Sequence, residues 1–183
     1  MKKMKKILAI GTVFTSLATS AFADISVNFF TFNAGNSSLG QVFFDTVGGT
    51  PADNTVKVDF LFGASAGSLT SASQVFTIQN GNQGFLNAGV LPVTSATVGG
   101  GAGFYQMRAW TGGASFTDGA NTKVGSSAVT AVTFGGTPLA GGTPLPSNDL
   151  NLHASFAVVA VPEPATLALG LFGAAGMLIR RRK

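Results

Sequence analysis

The 183-residue sequence predicts an all-β fold, an antiparallel β-sandwich of jelly-roll type, between an N-terminal signal helix and a C-terminal membrane helix. Residues 56–62 and 150–160 alternate in side-chain character with a period of two, as half-buried strands do. Clusters of glycine, asparagine and proline separate short β-rich runs, a spacing typical of sandwiches. Weaker strands are predicted at 25–32, 41–47, 74–78, 91–98, 104–110 and 128–134.

Residues 1–23 are typical of a secretory signal peptide. Four lysines stand among the first six residues, a mostly apolar stretch follows at 7–18, and the segment ends in Ala21-Phe22-Ala23, a small-x-small site. This order predicts cleavage before Asp24. An uncleaved membrane helix is the alternative, but the apolar stretch is short for a span and the cleavage site is well formed.

Residues 24–160 are predicted to form one glycine-rich β-sandwich domain, since their number lies in the usual range for a single domain. The chain has no cysteine, so burial must stabilise the fold without disulfides. Thirteen of the sixteen phenylalanines lie in this segment and are available for that burial. No repeat occurs at a solenoid or propeller period.

The positive net charge of the chain comes from its two ends. Of the eleven lysines and arginines, four lie in the signal segment and four are the last four residues. The body retains only Lys57, Arg108 and Lys123 against six aspartates, a formal charge of −3. It has no basic patch to neutralise phosphates, so we expect no nucleic-acid partner.

The body offers little catalytic chemistry. It has one histidine and neither cysteine nor glutamate, so a hydrolase would have to pair aspartates from distant loops. The period-two pattern places His153 on the solvent side of the last strand. The sequence therefore predicts a protein that is not an enzyme and has no cofactor.

Three oxygen-rich positions raise the alternative of a Ca²⁺ site in the loops. They are Asp53-Asn54, Asp118 with Asn121, and Asn148-Asp149. None has the spacing of an EF-hand, and aspartate and asparagine are ordinary turn residues. We therefore expect turns and no metal site.

Two further features bear on ligand binding. The run Gly99 to Gly103 lacks Gly-x-Gly-x-x-Gly spacing and precedes a strand, so it is expected to be a loop without a phosphate site. Tyr105 and Trp110 are an odd number of residues apart, which places them on opposite faces of their strand. Trp110, on the face of Arg108, is the candidate exposed ligand contact.

The C-terminal tail has three parts. Two prolines in Val161-Pro162-Glu163-Pro164 exclude a helix or interior strand and predict an extended joint. Residues 165–179 carry no charge and predict a membrane helix, but their length of about 22 Å falls short of the roughly 30 Å hydrocarbon core. A weak membrane hold is expected, with a cytoplasmic basic end formed by Arg180, Arg181, Arg182 and Lys183.

In this order, residues 161–183 resemble the PEP-CTERM sorting signal of exported bacterial proteins. The resemblance implies that an exosortase-type membrane protease processes the joint. A plain tail anchor is the alternative, whereas the basic end disfavours a buried core helix and a GPI-type signal. Either way, the folded domain is expected to sit close to the membrane while the tail is attached.

A second resemblance concerns the body. The segment 103–110, followed by Gly125-Ser126-Ser127, a proline-containing loop and Ser155-Phe156, is similar to the C-terminal half of exported PEP-CTERM proteins of unassigned activity. We therefore expect a non-enzymatic protein of the cell membrane, cell surface or extracellular matrix of a bacterium. Its expected partners are the membrane, an exosortase-type protease and extracellular polysaccharide. The alternative is a carbohydrate-binding module presented at the membrane.

Overall fold

The computed structural model describes residues 23–36, 38–79, 81, 83–95, 101–136, 143 and 145–162. This part of the chain is all-β. Its strands are β1 (Ala23–Phe30), β2 (Val42–Phe44), β3 (Lys57–Gly63), β4 (Thr70–Thr77), β5 (Asn87–Ser95), β6 (Gly101–Thr111), β7 (Lys123–Ser126), β8 (Thr130–Gly136) and β9 (Phe156–Ala160).

The predicted membrane helix and the predicted signal helix up to residue 22 lie outside these residues. Among the described residues, no helix has the length and apolar character needed to cross a membrane.

The long strand β6 organises the sheet because both of its edges are paired. One edge runs antiparallel to β3, from the Lys57–Trp110 pair to the Gly63–Phe104 pair. The other edge pairs with β8 near the start of β6 and with β7 near its end. Beyond β8 the path continues through β1 to β5, and beyond β3 it reaches β4.

The sheet is mixed, so the prediction of a purely antiparallel arrangement is wrong at one pair. β2 lies parallel to β9, with Val42 opposite Phe156 and Phe44 opposite Val158, while β9 lies antiparallel to β7. The sandwich and its jelly-roll variant stay predictions.

The core lies under the inner face that β3 and β6 share. Alternate residues of these strands, including Phe60, Phe62 and Met107, are fully buried there. Phe29 of β1 packs against them, with its ring centroid 5.2 Å from that of Phe60. Fully burying one such side chain is worth about 1.5–3 kcal/mol. The phenylalanines therefore supply the burial that a cysteine-free chain requires.

The glycine-rich start of β6 differs from the predicted loop. Gly101 to Gly103 belong to the strand, and a side chain at Gly103 would place its Cβ 2.5 Å from the Phe134 ring. Glycine is required there because the aromatic ring occupies the space above the backbone.

The last strand is shorter than the predicted 150–160. Only Phe156–Ala160 forms β9, and the preceding segment turns so that the burial pattern changes phase. His153 is buried, whereas Leu152 is half exposed. The prediction that His153 faces solvent is therefore wrong.

Candidate functional site

The point where the chain leaves the fold lies directly after β9. Phe156 and Val158 anchor this strand in the core, and the Phe156 N–H donates to the Gln41 carbonyl at 3.1 Å. The last backbone contact in the described part of the chain is the Val161 N–H, which donates to the Thr122 carbonyl at 3.0 Å. Val161 and Pro162 are exposed, so the predicted joint starts within one residue of the paired sheet. Glu163 and Pro164 lie outside the described residues, as do Arg180 to Lys183.

A salt bridge stabilises the end of the sheet around this exit. Because β2 and β9 are parallel, both strands end on the same side of the sheet. Lys123 Nζ lies 2.6 Å from Asp45 Oδ1 and 5.1 Å from the centre of the Phe44 ring. The Asp45 N–H donates to the Val158 carbonyl at 2.9 Å. These contacts connect the exit to both neighbouring strands.

Trp110, the predicted exposed ligand contact, is fully buried, and that prediction is wrong. Its Nε1–H donates to the Gly113 carbonyl at 3.1 Å, and the Phe116 ring packs edge-on against it at 6.3 Å. The loop after β6 thus folds back over the outer face of the strand and covers the indole. The prediction that Tyr105 and Trp110 occupy opposite faces is confirmed by the unbroken register of β6 with β3, in which Tyr105 lies opposite Phe62 and Trp110 opposite Lys57.

Two side chains hold that loop in place. Asn121 Oδ1 accepts the Gly113 N–H at 3.1 Å, and its amide group donates to the carbonyls of Ser115 and Phe116. Asp118 accepts the N–H groups of Ala114 and Ala120 at 2.8 and 2.9 Å. These backbone hydrogen bonds lower the pKa of Asp118. Asn121 and Asp118 therefore stabilise the loop, in agreement with the interpretation of both as turn residues.

Arg108, the second predicted contact, forms a bidentate ion pair with Asp59. Its Nε donates to Asp59 Oδ1 at 2.8 Å and its Nη2 donates to Asp59 Oδ2. The guanidinium also lies over the Phe116 ring, 4.8 Å from the centroid. Two of its N–H donors are thus directed at Asp59, and the side chain is 19% exposed.

His153 belongs to a buried hydrogen-bond cluster around the Tyr105 hydroxyl. That oxygen accepts the N–H groups of Leu152 and His153 at 3.1 and 3.0 Å. The same hydroxyl lies 3.2 Å from His153 Nδ1, within hydrogen-bond distance. The other ring nitrogen, His153 Nε2, has no hydrogen-bond partner among the described residues.

Burial sets the protonation of both rings in this cluster. Desolvation lowers the pKa of His153 to about 4, and the Leu150 carbonyl opposes this shift only in part. Desolvation raises the pKa of Tyr105 to about 12, against the two backbone N–H groups that favour the phenolate. The imidazole is therefore neutral at neutral pH and has no access to solvent.

The remaining oxygen-rich loops are used by the fold. Asp53 Oδ1 accepts the Thr55 N–H at 2.9 Å and the Thr55 hydroxyl at 2.6 Å, which lowers the pKa of Asp53. Asp149 Oδ1 accepts the Asn28 amide at 2.7 Å. Among the described residues, no three histidine, aspartate or glutamate side chains come together as a metal site would require.

Comparison with protein families adds the decisive observation for the exit. Residues 160–183 match the family described as the PEP-CTERM protein-sorting motif. The chain carries a PEP-CTERM sorting motif. The match begins at Ala160, the last residue of β9, so the PEP-CTERM motif and the folded body share a boundary. A search of curated proteins and a search of solved structures each found no match.

The PEP-CTERM motif implies an exported protein whose C-terminal sorting signal directs it to the cell envelope or surface. Signals of this kind are processed by exosortase, consistent with the predicted processing partner. At the other terminus, Ala23 and Asp24 begin β1, opposite Ser95 and Thr94, while Ala21 lies outside the described residues. Signal cleavage and the similarity of the body to other exported domains stay predictions.

Proposed function

We propose that the chain is a non-enzymatic surface or matrix protein, held briefly at the membrane by its tail and then cut at the PEP-CTERM joint. One observation carries the proposal. Among the described residues, the last backbone hydrogen bond of the fold runs from Val161 to Thr122, and Val161 is already the second residue of the sorting motif. The C-terminal sorting motif and the folded body are thus joined with almost no linker.

The short joint places the folded body close to the lipid. From Val161 to the start of the apolar run at Ala165 an extended chain covers at most about 14 Å. While the tail lies in the bilayer, the sheet end with Asp45, Lys123 and Val159 must therefore sit near the lipid headgroups. The Lys123–Asp45 pair balances its own charge there, which supports a hold by the tail rather than by the body.

The non-enzymatic part of the proposal rests on the buried chemistry of the body. His153 is fully buried and neutral. Asp59 is paired with Arg108, and Asp53 and Asp118 accept hydrogen bonds from their own loops. The exported body thus serves as a structural or binding component, and we place it among extracellular polysaccharide.

Cell fractionation tests the processing claim. In cells with an active exosortase, the chain is expected in the released fraction, without its tail. The double variant Pro162→Ala and Pro164→Ala should stay uncut in the membrane fraction, whereas the control Pro51→Ala should behave as wild type. Release of the double variant at the normal rate would contradict the role of the joint. A wild-type chain that keeps its tail in the membrane would favour the plain tail anchor.

A further inference from the structure

A groove crosses the outer face of the sheet where β6 meets β8. It consists of two adjoining cavities of about 510 and 380 Å³ that share Val132, Thr133 and Leu152 along their walls. Volumes of this size are typical of ligand sites in proteins. Ala160, Val161 and Pro162, the residues of the sorting motif that the structure describes, do not line it.

Strand register explains the floor of the groove. Ala102 pairs with Thr133 and Phe104 with Ala131, so these four side chains share the outer face. Three of the four are small, which leaves open space above the backbone beside the Phe104 ring. Leu152, half exposed at 51%, closes the opposite side with a second apolar group.

Polar groups of the 147–151 segment line the other wall. Asn148 donates an amide hydrogen to the Thr133 carbonyl at 2.7 Å, and Asn151 donates one to the Phe32 carbonyl at 3.3 Å. These bonds fix both amides with an N–H toward the fold and turn each oxygen away from that contact. Asp149 uses Oδ1 to accept the Asn28 amide and keeps Oδ2 for another donor.

The lining therefore has a definite chemical preference. Its described residues present oxygen acceptors and one carboxylate, and none of them is a lysine or arginine. An anionic ligand would meet the Asp149 carboxylate without a cation to compensate, which is unfavourable in a partly buried site. Hydroxyl groups can donate to the acceptors, and the C–H face of a sugar ring can pack on Phe104 and Leu152.

We infer that this groove binds a segment of a neutral, hydroxyl-rich polymer, that is, a neutral polysaccharide. The inference rests on the proposed association of the exported body with extracellular polysaccharide, and it assigns that association to a site. It also replaces Trp110 as the contact residue, since that indole is covered by its own loop.

Affinity electrophoresis in native gels tests the assignment. Protein released by the producing cells is run through gels that contain dextran, mannan or hydroxyethylcellulose as neutral polymers, or alginate as an acidic one. We expect at least one neutral polymer to retard the wild-type protein and alginate not to. Ala131→Tyr, which fills the floor, should weaken that retardation about tenfold or more, and Leu152→Ala should weaken it several-fold.

The control is Val75→Tyr, which adds the same ring at an exposed position of β4 and should leave the retardation unchanged. Equal thermal unfolding of all variants excludes misfolding as the cause. No retardation by any of the three neutral polymers, or retardation by alginate alone, would overturn the inference. Retardation that survives Ala131→Tyr would overturn the location. None of these results bears on tail processing, which is measured separately by fractionation.

Discussion

Arg108 and Asp59 show how a charged pair on the outer face of a sheet becomes part of the structure. Side chain exposure is 19% for Arg108 and 7% for Asp59, and the Phe116 ring covers the guanidinium. The ion pair links β3 to β6 on the outer face of the sheet, opposite the phenylalanine core. A single unpaired member would be a desolvated charge.

Removal of one partner should therefore cost stability. Arg108→Ala leaves Asp59 buried and uncompensated, with an expected loss of about 2–4 kcal/mol in the free energy of unfolding. Lys123→Ala is the matched control, because Asp45 remains 63% exposed and can be hydrated, so its expected cost is below about 1 kcal/mol. Urea unfolding curves measure both values. Equal costs for the two variants would contradict the structural role of Arg108.

His153 gives the protein a specific pH dependence. Its folded pKa of about 4 lies below the ordinary value of 6.5, so between these values the unfolded chain binds a proton that the folded chain excludes. Stability should therefore fall as the pH drops from about 7 to 4, by roughly 3 kcal/mol in total.

This is the only histidine in the chain, and the lowered pKa values of Asp53 and Asp118 affect stability only below about pH 5, so the slope above that pH can be assigned to His153. His153→Asn keeps a side chain that can hydrogen-bond to the Tyr105 hydroxyl but does not titrate, so it should flatten the slope between about pH 5 and 6.5, whatever its effect on absolute stability. Unfolding free energies at five pH values measure this. An unchanged slope in the variant would show that another group is responsible.

At the scale of elements, β7 and β8 act as one long strand broken at Ser127. The register of β6 with β7 pairs Arg108 with Ser126, whereas its register with β8 pairs Tyr105 with Thr130, one residue out of step. At the break, the Ser127 hydroxyl accepts the Met107 N–H at 3.0 Å and donates to the Ala128 carbonyl at 2.9 Å. A side chain thus replaces a missing ladder bond.

Ser127→Ala should show how much this side-chain hydrogen bond contributes to the free energy of unfolding. The substitution leaves the buried Met107 N–H without its acceptor, and we expect a loss of about 1–3 kcal/mol. Ser126→Ala, one residue earlier and exposed, should change stability by less than about 0.5 kcal/mol. Thermal unfolding of the two variants measures the difference. A cost for Ser127→Ala no larger than that of the control would contradict the hydroxyl's role.

The end of β9 also bears on processing. Val161 is still bound to Thr122, so a protease that needs several extended residues before its cleavage point must first release them. Insertion of the four residues Gly-Ser-Gly-Ser between Val161 and Pro162 should therefore speed tail removal several-fold in a pulse-chase experiment. The same insertion between Ala66 and Gly67, in the exposed turn after β3, serves as a control and should leave the rate unchanged. A rate unaffected by the first insertion would show that the joint is already accessible.

Considered as a whole molecule, the fold shows which features local patterns can predict. The alternation in β3 and β6 is a property of neighbouring residues, so their strands and the opposite faces of Tyr105 and Trp110 were predictable. The tail was predictable as well, because its proline joint and basic end are consecutive in the chain. The PEP-CTERM match at residues 160–183 confirms that part.

The predictions that were wrong depend on contacts between segments that lie far apart in the sequence. His153 is buried because it closes on Tyr105, 48 residues away, and β2 meets β9 in parallel across more than one hundred residues. Trp110 is covered by a loop that Asn121 and Asp118 stabilise through hydrogen bonds, and the local sequence pattern does not reveal these bonds. β7 was not predicted because it is short and contains Gly125, which is required where the strand lies against the Ala157 carbonyl.

The central claim is that a folded, exported β body is separated from its tail immediately after β9. The most direct test is intact-mass spectrometry of the protein released by cells with an active exosortase. We expect a species that begins at Asp24 and ends within residues 161–164, and we expect it to be absent from cells that lack the protease. A released species that still ends at Lys183 would contradict the account.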